Sequence, residues 1–403
     1  MRAYAQIIVR LGVNVQPGQY VAITVSTAQD EIGVMVAEEC YKAGAAHVRF
    51  NWTNDDFMRL RYINESIETM SEFTEELKGK YEDELKHPYV GIYIDDSDPD
   101  VFNGIDNEKL TEPRRRLYPF IKKYRDELEG KAQWTIVAMP QVSWARKMYP
   151  GVSDEEAMEK LEKAIMHTMR MDTEDPVGEW HKHIETLKVK AATMNEHHFK
   201  TLHYTAGNGT DFIVDLHPKH VWQTAWEKQR NGISSCVNMP TEEVFTIPEV
   251  HSAHGKLVAS LPLSYNGNLI EDFSFEFEGG KIVKVDAAKG QEQLEKMIKM
   301  DENACMLGEL ALVPFDSPIN QIGDLFYNTL FDENAVCHVA VGAGFGDCLE
   351  GYEELTQEQI YAEGVNDSMI HVDFMVGTAD LHITGIKENG EEVTVFENGL
   401  WAI

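Results

Sequence analysis

The first half of the chain alternates short apolar runs with segments of helical periodicity. A turn at residues 15–18 precedes the apolar run YVAITV, and residues 30–44 carry apolar side chains at helical spacing. Three further strand-like runs follow, HVRFNW, YVGIYID and WTIVAM, at residues 47–52, 89–95 and 134–139. Strands separated by helices are typical of βαβ units, so this half predicts a mainly parallel sheet.

The pattern changes near residue 190. Residues 154–187 have helical periodicity, whereas beyond residue 190 strand-like runs are separated by hairpin turns that contain glycine, at residues 208–209, 266–267, 279–280 and 389–390. One helix, from residue 291 to about residue 303, interrupts the strands. The sequence therefore predicts an α/β N-terminal domain with a mainly parallel sheet over residues 1–190. It predicts a β-rich α+β C-terminal domain over residues 191–403.

The charge balance argues against two classes of partner. The 403 residues include 36 Lys and Arg against 68 Asp and Glu, so the net charge is −32. Such a surface repels phosphate backbones and anionic lipids, so neither nucleic acid nor a membrane is an expected partner. The five cysteines are scattered without a CxxC pair, which argues against a disulfide framework or a thiolate zinc site. No segment approaches the roughly 20 apolar residues of a transmembrane helix and no secretory signal is recognisable, so the sequence predicts a cytoplasmic protein.

Two histidines lie in strand-like segments of the second half. In the run MIHVDFMV, residues 369–376, side-chain alternation places His371 and Asp373 on one face of a strand and the apolar residues on the other. An isolated pair of this kind is also consistent with a hydrogen-bonded His–Asp pair on a sheet surface. His338, in the apolar run CHVAV, taken alone fits a buried core histidine as well as a metal ligand.

Glu309 interrupts the apolar run LGELALV at residues 307–313. This run predicts a buried strand, in which an unpaired carboxylate would cost several kcal/mol. The carboxylate therefore needs a cationic partner. Either a basic side chain or a metal ion could serve, and basic residues are scarce in this half of the chain.

Further acidic residues occur near these histidines. Glu242 and Glu243 follow a turn that contains proline, and Glu333 lies shortly before His338. Each has a plain interpretation as a turn or loop residue. Taken together, four carboxylates and two histidines suit a pair of divalent cations such as Zn²⁺, Co²⁺ or Mn²⁺, which activate water for hydrolysis. That set is Glu243, Glu309, Glu333, His338, His371 and Asp373.

A glycine-rich loop suggests a competing function. The sequence GAGFG at residues 342–346 follows a strand, as a dinucleotide phosphate loop does, and a dinucleotide-dependent oxidoreductase is therefore one alternative. The spacing is GxGxG instead of GxGxxG, and the acidic residues that follow do not open a clear helix. We therefore favour a tight turn that lines a site. The pairs His181 and His183, and His197 and His198, are interpreted as surface residues.

Four segments resemble one family of peptidases. They are NMPTEEVFTIP, LGELALVPFDSPI, FYNTLFDENAVCHVAVG and GVNDSMIHVDFMVGT, at residues 238–248, 307–319, 326–342 and 364–378. These motifs are similar to those of the thermophilic metallo-aminopeptidase family of the aminopeptidase T type, and weaker similarity extends over essentially the whole chain. The resemblance implies an α/β N-terminal domain, two divalent metal ions in the C-terminal domain and a homodimer. It also implies removal of N-terminal residues from peptide substrates with a free N-terminus.

By position, the resemblance assigns all six residues of that set as metal ligands, with Glu309 bridging the two ions. Glu333 and His371 have an alternative role as outer groups that orient the ligands. Glu242, adjacent to a ligand, is the candidate general base for the attacking water. Its alternative is a solvent-exposed glutamate.

The chain departs from this family at Phe345. Members usually have a tyrosine seven residues after the histidine of the DENAxCH motif, and here that position is Phe345. If the family's phenol stabilises the tetrahedral oxyanion, this chain lacks that donor. A much slowed or noncatalytic member of the family is therefore a second alternative.

Overall fold

The computed structural model describes residues 1–96 and 98–403, which pack as two compact units. One unit contains residues 1–179 and 225–240, and the other contains residues 180–224 and 241–403. A division into folding domains at residue 190 stays a prediction.

The first unit contains the predicted parallel sheet. Within the described residues its strands lie in the order His47–Thr53, Tyr20–Ser26, Tyr89–Asp95 and Trp134–Ala138, and all neighbours are parallel. The strands Trp226–Lys228 and Ser234–Cys236 pair as a separate antiparallel hairpin. The helices of this unit are Arg2–Ile7, Asp30–Lys42, Asp55–Asn64, Ile67–Met70, Glu75–Lys86, Asn107–Leu128, Val142–Met148 and Asp154–Thr168.

Charge and backbone conformation explain why the helix Asp30–Lys42 has these bounds. Acidic residues occupy its first turn and Lys42 its last, which matches the helix dipole. Gly44, with φ of +99°, ends it in the left-handed conformation that glycine adopts freely. The pattern at residues 154–187, however, forms two helices, Asp154–Thr168 and Pro176–His197. Arg170 has a positive φ, which ends the first helix, and Pro176 starts the second. The apolar periodicity therefore spans two helices that are separated by a break in the backbone.

The second unit is rich in antiparallel strands, as predicted. Its larger sheet contains the strands Leu263–Tyr265, Asn268–Glu278, Lys281–Lys289, His254–Val258, Asp211–Asp215, Thr201–Thr205, His382–Ile386, Glu392–Glu397 and Leu400–Trp401. All four glycine-containing turns connect paired strands of this sheet. The helices of this unit are residues 180–197 of Pro176–His197, and Gln291–Met297, Pro318–Ile322, Thr329–Asp332 and Gln357–Glu363. The mixed α/β fold class is therefore confirmed.

A smaller antiparallel sheet of this unit positions the candidate site. Within the described chain its strands lie in the order His371–Met375, His338–Gly342, Leu307–Leu312, Val244–Thr246 and Gln223–Thr224. Alternate residues of these strands, which include Leu310, Leu312, Val339, Val341, Val372 and Phe374, pack into the main hydrophobic core of the unit. The other face of this sheet is therefore free to carry polar side chains.

None of the helices formed by residues 1–96 and 98–403 is long and apolar enough to cross a membrane.

Candidate metal centre

Strand register brings the predicted ligands to one face of the smaller sheet. Asp373 pairs with Ala340, and Ala340 pairs with Glu309 on its other side. Residues directly opposite in an antiparallel sheet share a face, so Asp373 and Glu309 project on the same side. His338 and His371 each lie two residues from a member of this row and join it by alternation. The predicted common face of His371 and Asp373 is confirmed.

A β-bulge directs Glu309 to that face. The register shifts between Leu307 and Glu309, so that Gly308 is the extra residue. Without the bulge, Leu307 and Glu309 would share a face, whereas here Leu307 packs in the core and Glu309 does not. Glycine is required because a Cβ at this position would lie 2.2 Å from the backbone oxygen of Ala343.

Two groups of ligand atoms result, and Glu309 belongs to both. Glu243, Glu309 and His338 offer ligand atoms that all lie within 4.8 Å of one another, and so do Glu309, His371 and Asp373. The imidazole Nε2 of His338 lies 3.1 Å from Glu243 Oε2, and that of His371 lies 3.2 Å from Glu309 Oε2 and 3.3 Å from Asp373 Oδ1. Among the side chains that the structure describes, no further group of this kind occurs.

The carboxylates of the site are buried, and among the described residues their cationic partners are histidines only. In the described part of the chain, neither lysine nor arginine forms an ion pair with Glu243, Glu309, Glu333 or Asp373. Burial raises the pKa of Glu309 to about 7, although His371 opposes this rise. Burial also raises the pKa of Glu333, and the charges of its neighbours add to the effect. Without a cation, Glu309 and Glu333 therefore resist ionisation.

The histidines respond to the same charges. Burial alone would lower the pKa of His338, but the hydrogen bond to Glu243 and the other nearby carboxylates raise it to about 9. For Asp373 the directions are reversed. Burial alone would raise the pKa of this carboxyl group, but His371 lowers it to about 2. His371 Nδ1 donates to the backbone oxygen of Ala343 at 2.8 Å, which leaves its Nε2 facing the carboxylates. This arrangement is typical of a histidine oriented for metal binding.

Glu333 is buried near the site but lies outside both groups. It starts the short turn Glu333–Ala335, and its Oε1 accepts a hydrogen bond from Asn334 Nδ2 at 3.3 Å. The preceding loop is fixed by Asp332, whose carboxylate accepts the backbone N–H groups of Phe326 and Asn328. Burial raises the pKa of Glu333 most, and the nearby charges of Asp373, Glu243 and Glu309 raise it further.

Glu242 is buried, so the alternative interpretation of this residue as a solvent-exposed glutamate is wrong. Its side chain is 5% exposed, and its backbone N–H donates to Asn334 Oδ1 at 2.8 Å. Asn334 is fully buried. Its side-chain amide links Glu242 to Glu333, because its oxygen accepts from the Glu242 backbone and its nitrogen donates to the Glu333 carboxylate. The role of Glu242 as general base stays a prediction.

The interpretation of His183 as a surface residue is also wrong. Its side chain is 13% exposed, and its Nε2 lies 2.7 Å from the backbone oxygen of Thr241 and 3.4 Å from Glu242 Oε2. The helix Pro176–His197 buries Trp180, Ile184 and Leu187, so His183 lies at the edge of its buried stripe. That spacing was available in the sequence, because position 183 is three residues from Trp180 and four from Leu187. His181 and His198 are exposed, as predicted.

Phe345 lies beside the candidate ligands. Its ring centroid is 4.7 Å from that of His371 and 5.5 Å from that of Phe245, and the side chain is 37% exposed. The loop at residues 342–346 continues into a short 3₁₀ turn, Gly346–Cys348, instead of an α-helix. A phosphate loop needs the N-terminus of a helix, so the loop is better explained as a turn that lines the site.

Comparison with known proteins identifies the family. A profile of the thermophilic metalloprotease (M29) family matches residues 1–401. Aminopeptidase AmpS of Bacillus subtilis (strain 168) is 40% identical over 100% of this chain and 98% of that protein. Aminopeptidase PepS of Streptococcus thermophilus is 38% identical over 100% of this chain and 98% of that protein. The solved structure of wild-type AmpT from Thermus thermophilus matches with a TM-score of 0.89 at 31% identity, over 100% of this chain and 98% of that chain.

The fold and the comparisons define a hydrolase of the metallopeptidase class. More narrowly, the chain belongs to the thermophilic metalloprotease (M29) family. The predicted family and the predicted enzyme class, a metallo-aminopeptidase, are confirmed, since the family is one of metalloproteases and these relatives are aminopeptidases. A dinucleotide-dependent oxidoreductase finds no support in these comparisons.

Proposed function

We propose that this protein removes the N-terminal residue from peptides with a free α-amino group, and that it does so with two divalent cations. The observation that carries the proposal is the position of Glu309, which belongs to both groups of ligand atoms. A carboxylate has two oxygens and can therefore serve two cations at once. A single cation would leave one of the two groups without a role.

The residues present fit such a centre. Oxygen and imidazole ligands without thiolates suit Zn²⁺, Co²⁺ or Mn²⁺. Four buried carboxylates, without a lysine or arginine partner in the described part of the chain, would carry four negative charges beside neutral histidine ligands, and two divalent cations would balance them. In this proposal Glu243 and His338 would hold one cation, and His371 and Asp373 would hold the other. Glu309 would serve both, and Glu333 would complete the set or orient the ligands.

Bound at these residues, the cations would supply an activated water and a polarised carbonyl. Glu242 accepts the proton of the attacking water and passes it to the leaving amine, which is the work of a general base and then a general acid. His371 is 26% exposed, whereas the side chains of Glu243, Glu309, His338 and Asp373 are all less than 10% exposed. The substrate therefore approaches beside His371 and Phe345.

Hydrolysis should depend on divalent metal. Because the ligands are oxygen and nitrogen atoms, we expect moderate and exchangeable binding, so a chelator should abolish the hydrolysis of aminoacyl amides and Co²⁺, Zn²⁺ or Mn²⁺ should restore it. Protein dialysed in parallel without chelator serves as the control. Full activity in protein shown by elemental analysis to contain no metal would contradict the proposal.

Cleavage should be restricted to a free amino terminus. An α-amine can bind a cation or a nearby carboxylate, whereas an acetylated amine is neutral and bulkier. We expect N-acetyl peptides to be cleaved slower than their free counterparts by about 10²-fold or more, because a site built for a polar group rejects analogues that lack it. Product analysis of paired peptides by mass spectrometry measures this ratio. Equal rates would indicate an endopeptidase instead.

We also propose a cytoplasmic homodimer, as the resemblance implies. In support, Phe57, Leu60 and Ile63 of one helix are each more than half exposed, so that helix offers an apolar surface to a partner. Light scattering would show a mass twice that of the 45.7 kDa chain. A mass equal to that of the single chain would exclude the dimer.

A further inference from the structure

A short segment ahead of the strand Val244–Thr246 carries both Glu242 and Glu243. Its position decides where the candidate base points, since these residues belong to no helix or strand. A general base must lie within about 2.6–3.2 Å of the proton that it accepts. Side chains that contact this segment therefore determine where the Glu242 carboxylate lies relative to the proton that it accepts.

His183 contacts this segment at two atoms. A carbonyl oxygen only accepts hydrogen bonds, so His183 Nε2 must carry the proton that it shares with Thr241 at 2.7 Å. The same Nε2 lies 3.4 Å from Glu242 Oε2, so the imidazole lies beside the carboxylate as well as the backbone. The Trp180 ring packs edge-on against the imidazole, with centroids 5.8 Å apart, and helps to hold its orientation.

Asn334 holds the same peptide group, the one between Thr241 and Glu242, through its N–H. Its Oδ1 accepts the backbone N–H of Glu242 at 2.8 Å, while its Nδ2 donates to Leu330 O at 3.1 Å and lies 3.3 Å from Glu333 Oε1. The backbone at residues 241–242 is therefore held by His183 through a carbonyl and by Asn334 through an N–H. Of these two side chains, His183 is the one that also approaches the Glu242 carboxylate.

We infer that His183 is a positioning residue that fixes the Glu242 carboxylate for proton transfer, without itself contacting the substrate. This inference rests on the proposed role of Glu242. The reason is geometric: a glutamate side chain has several rotamers, and the imidazole of His183 is hydrogen-bonded to the adjacent backbone and lies next to the carboxylate. A misplacement of about 1 Å at a catalytic group can cost about 10²-fold in rate.

The test compares variants at this helix position. His183→Ala should lower kcat by about 10–100-fold, with KM within about 3-fold of native, because only a transition-state interaction is disturbed. His183→Gln should restore kcat to within about 3-fold of native, since its amide nitrogen can donate to Thr241 as Nε2 does. His181→Ala, an exposed histidine on the same helix, is the matched control and should leave the rate unchanged. All proteins are compared at equal metal content, measured by elemental analysis.

A double-variant cycle shows whether His183 acts through Glu242. Glu242→Gln should lower kcat by about 10²–10⁴-fold, and adding His183→Ala should cause no further loss. Multiplicative losses in the double variant would overturn the inference. The inference would also be overturned if His183→Ala had a near-native kcat, or if His183→Gln lost as much kcat as His183→Ala. A loss of kcat that is explained by lost metal would overturn it as well.

Failure of the proposed function gives a different result. If Glu242→Gln keeps native kcat, the general-base assignment fails and the inference fails with it. If Glu242→Gln is severely impaired while His183→Ala is normal, the inference alone fails. If the native protein with metal cleaves no free aminoacyl substrate, the aminopeptidase proposal itself is wrong.

Discussion

Replacing Glu309 with glutamine is expected to remove at least one metal ion per chain and nearly all turnover. Glutamine keeps the size of the side chain but has no charge and can offer only one oxygen. Because Glu309 belongs to both ligand groups, both cation positions lose their shared carboxylate. The fall in kcat should exceed the roughly 10²–10³-fold that loss of one transition-state donor costs. Elemental analysis and steady-state kinetics on one preparation measure both effects.

The same substitution should not destabilise the protein once metal is removed. Burial raises the pKa of Glu309 from its ordinary value of 4.5 to about 7, so metal-free native protein loses stability as the pH rises between these values. The unfolded chain releases its proton first, and that difference favours unfolding. A neutral amide does not ionise, so the variant does not lose stability in this way. After chelation at pH above 7, Glu309→Gln should therefore melt at a temperature no lower than native protein.

Glu302→Gln is the control for these measurements. Glu302 is exposed and lies seven residues earlier in the chain, so its loss of charge should change neither metal content nor rate. Normal metal content and a near-native rate in Glu309→Gln would exclude Glu309 as the bridging carboxylate. A lower melting temperature in the chelated variant would indicate a packing role instead.

Alternation along single strands explains what could be predicted from the sequence. His371 and Asp373 are separated by one residue, and a strand places such residues on one face whatever its neighbours are. Glu309 stands alone in an apolar run, and a buried carboxylate there requires compensation by a cation or a proton. The hairpins of the larger sheet also follow from local signals, because glycine turns between alternating runs define them.

Effects that depend on distant partners could not be predicted in this way. The bulge at Gly308 exists because the backbone of Ala343 approaches it closely, and no pattern within residues 307–313 reveals that neighbour. His183 lies on a helix far along the chain from Glu242, so only the fold brings them within 3.4 Å. Its position beside the buried stripe was visible, but the partner was not.

The last expected result concerns Phe345, whose ring the structure places against His371 at 4.7 Å. The resemblance to the family implies a tyrosine at this position, and a phenol there can donate a hydrogen bond to the oxyanion that forms during hydrolysis. Phe345→Tyr should raise kcat by up to about 10²-fold. KM should stay within about 3-fold, because a contact made mainly in the transition state does not strengthen ground-state binding.

The structure supports this expectation through position and exposure. The Phe345 side chain is 37% exposed, so an added hydroxyl need not be buried without a partner. Phe345→Leu is the control, since it loosens the contact with His371 without adding a donor and should not raise kcat. Kinetics of the three proteins at equal metal content decide the matter. If kcat is unchanged or lower in Phe345→Tyr, another group already stabilises the oxyanion in this chain, and the assignment of the metal ligands is unaffected.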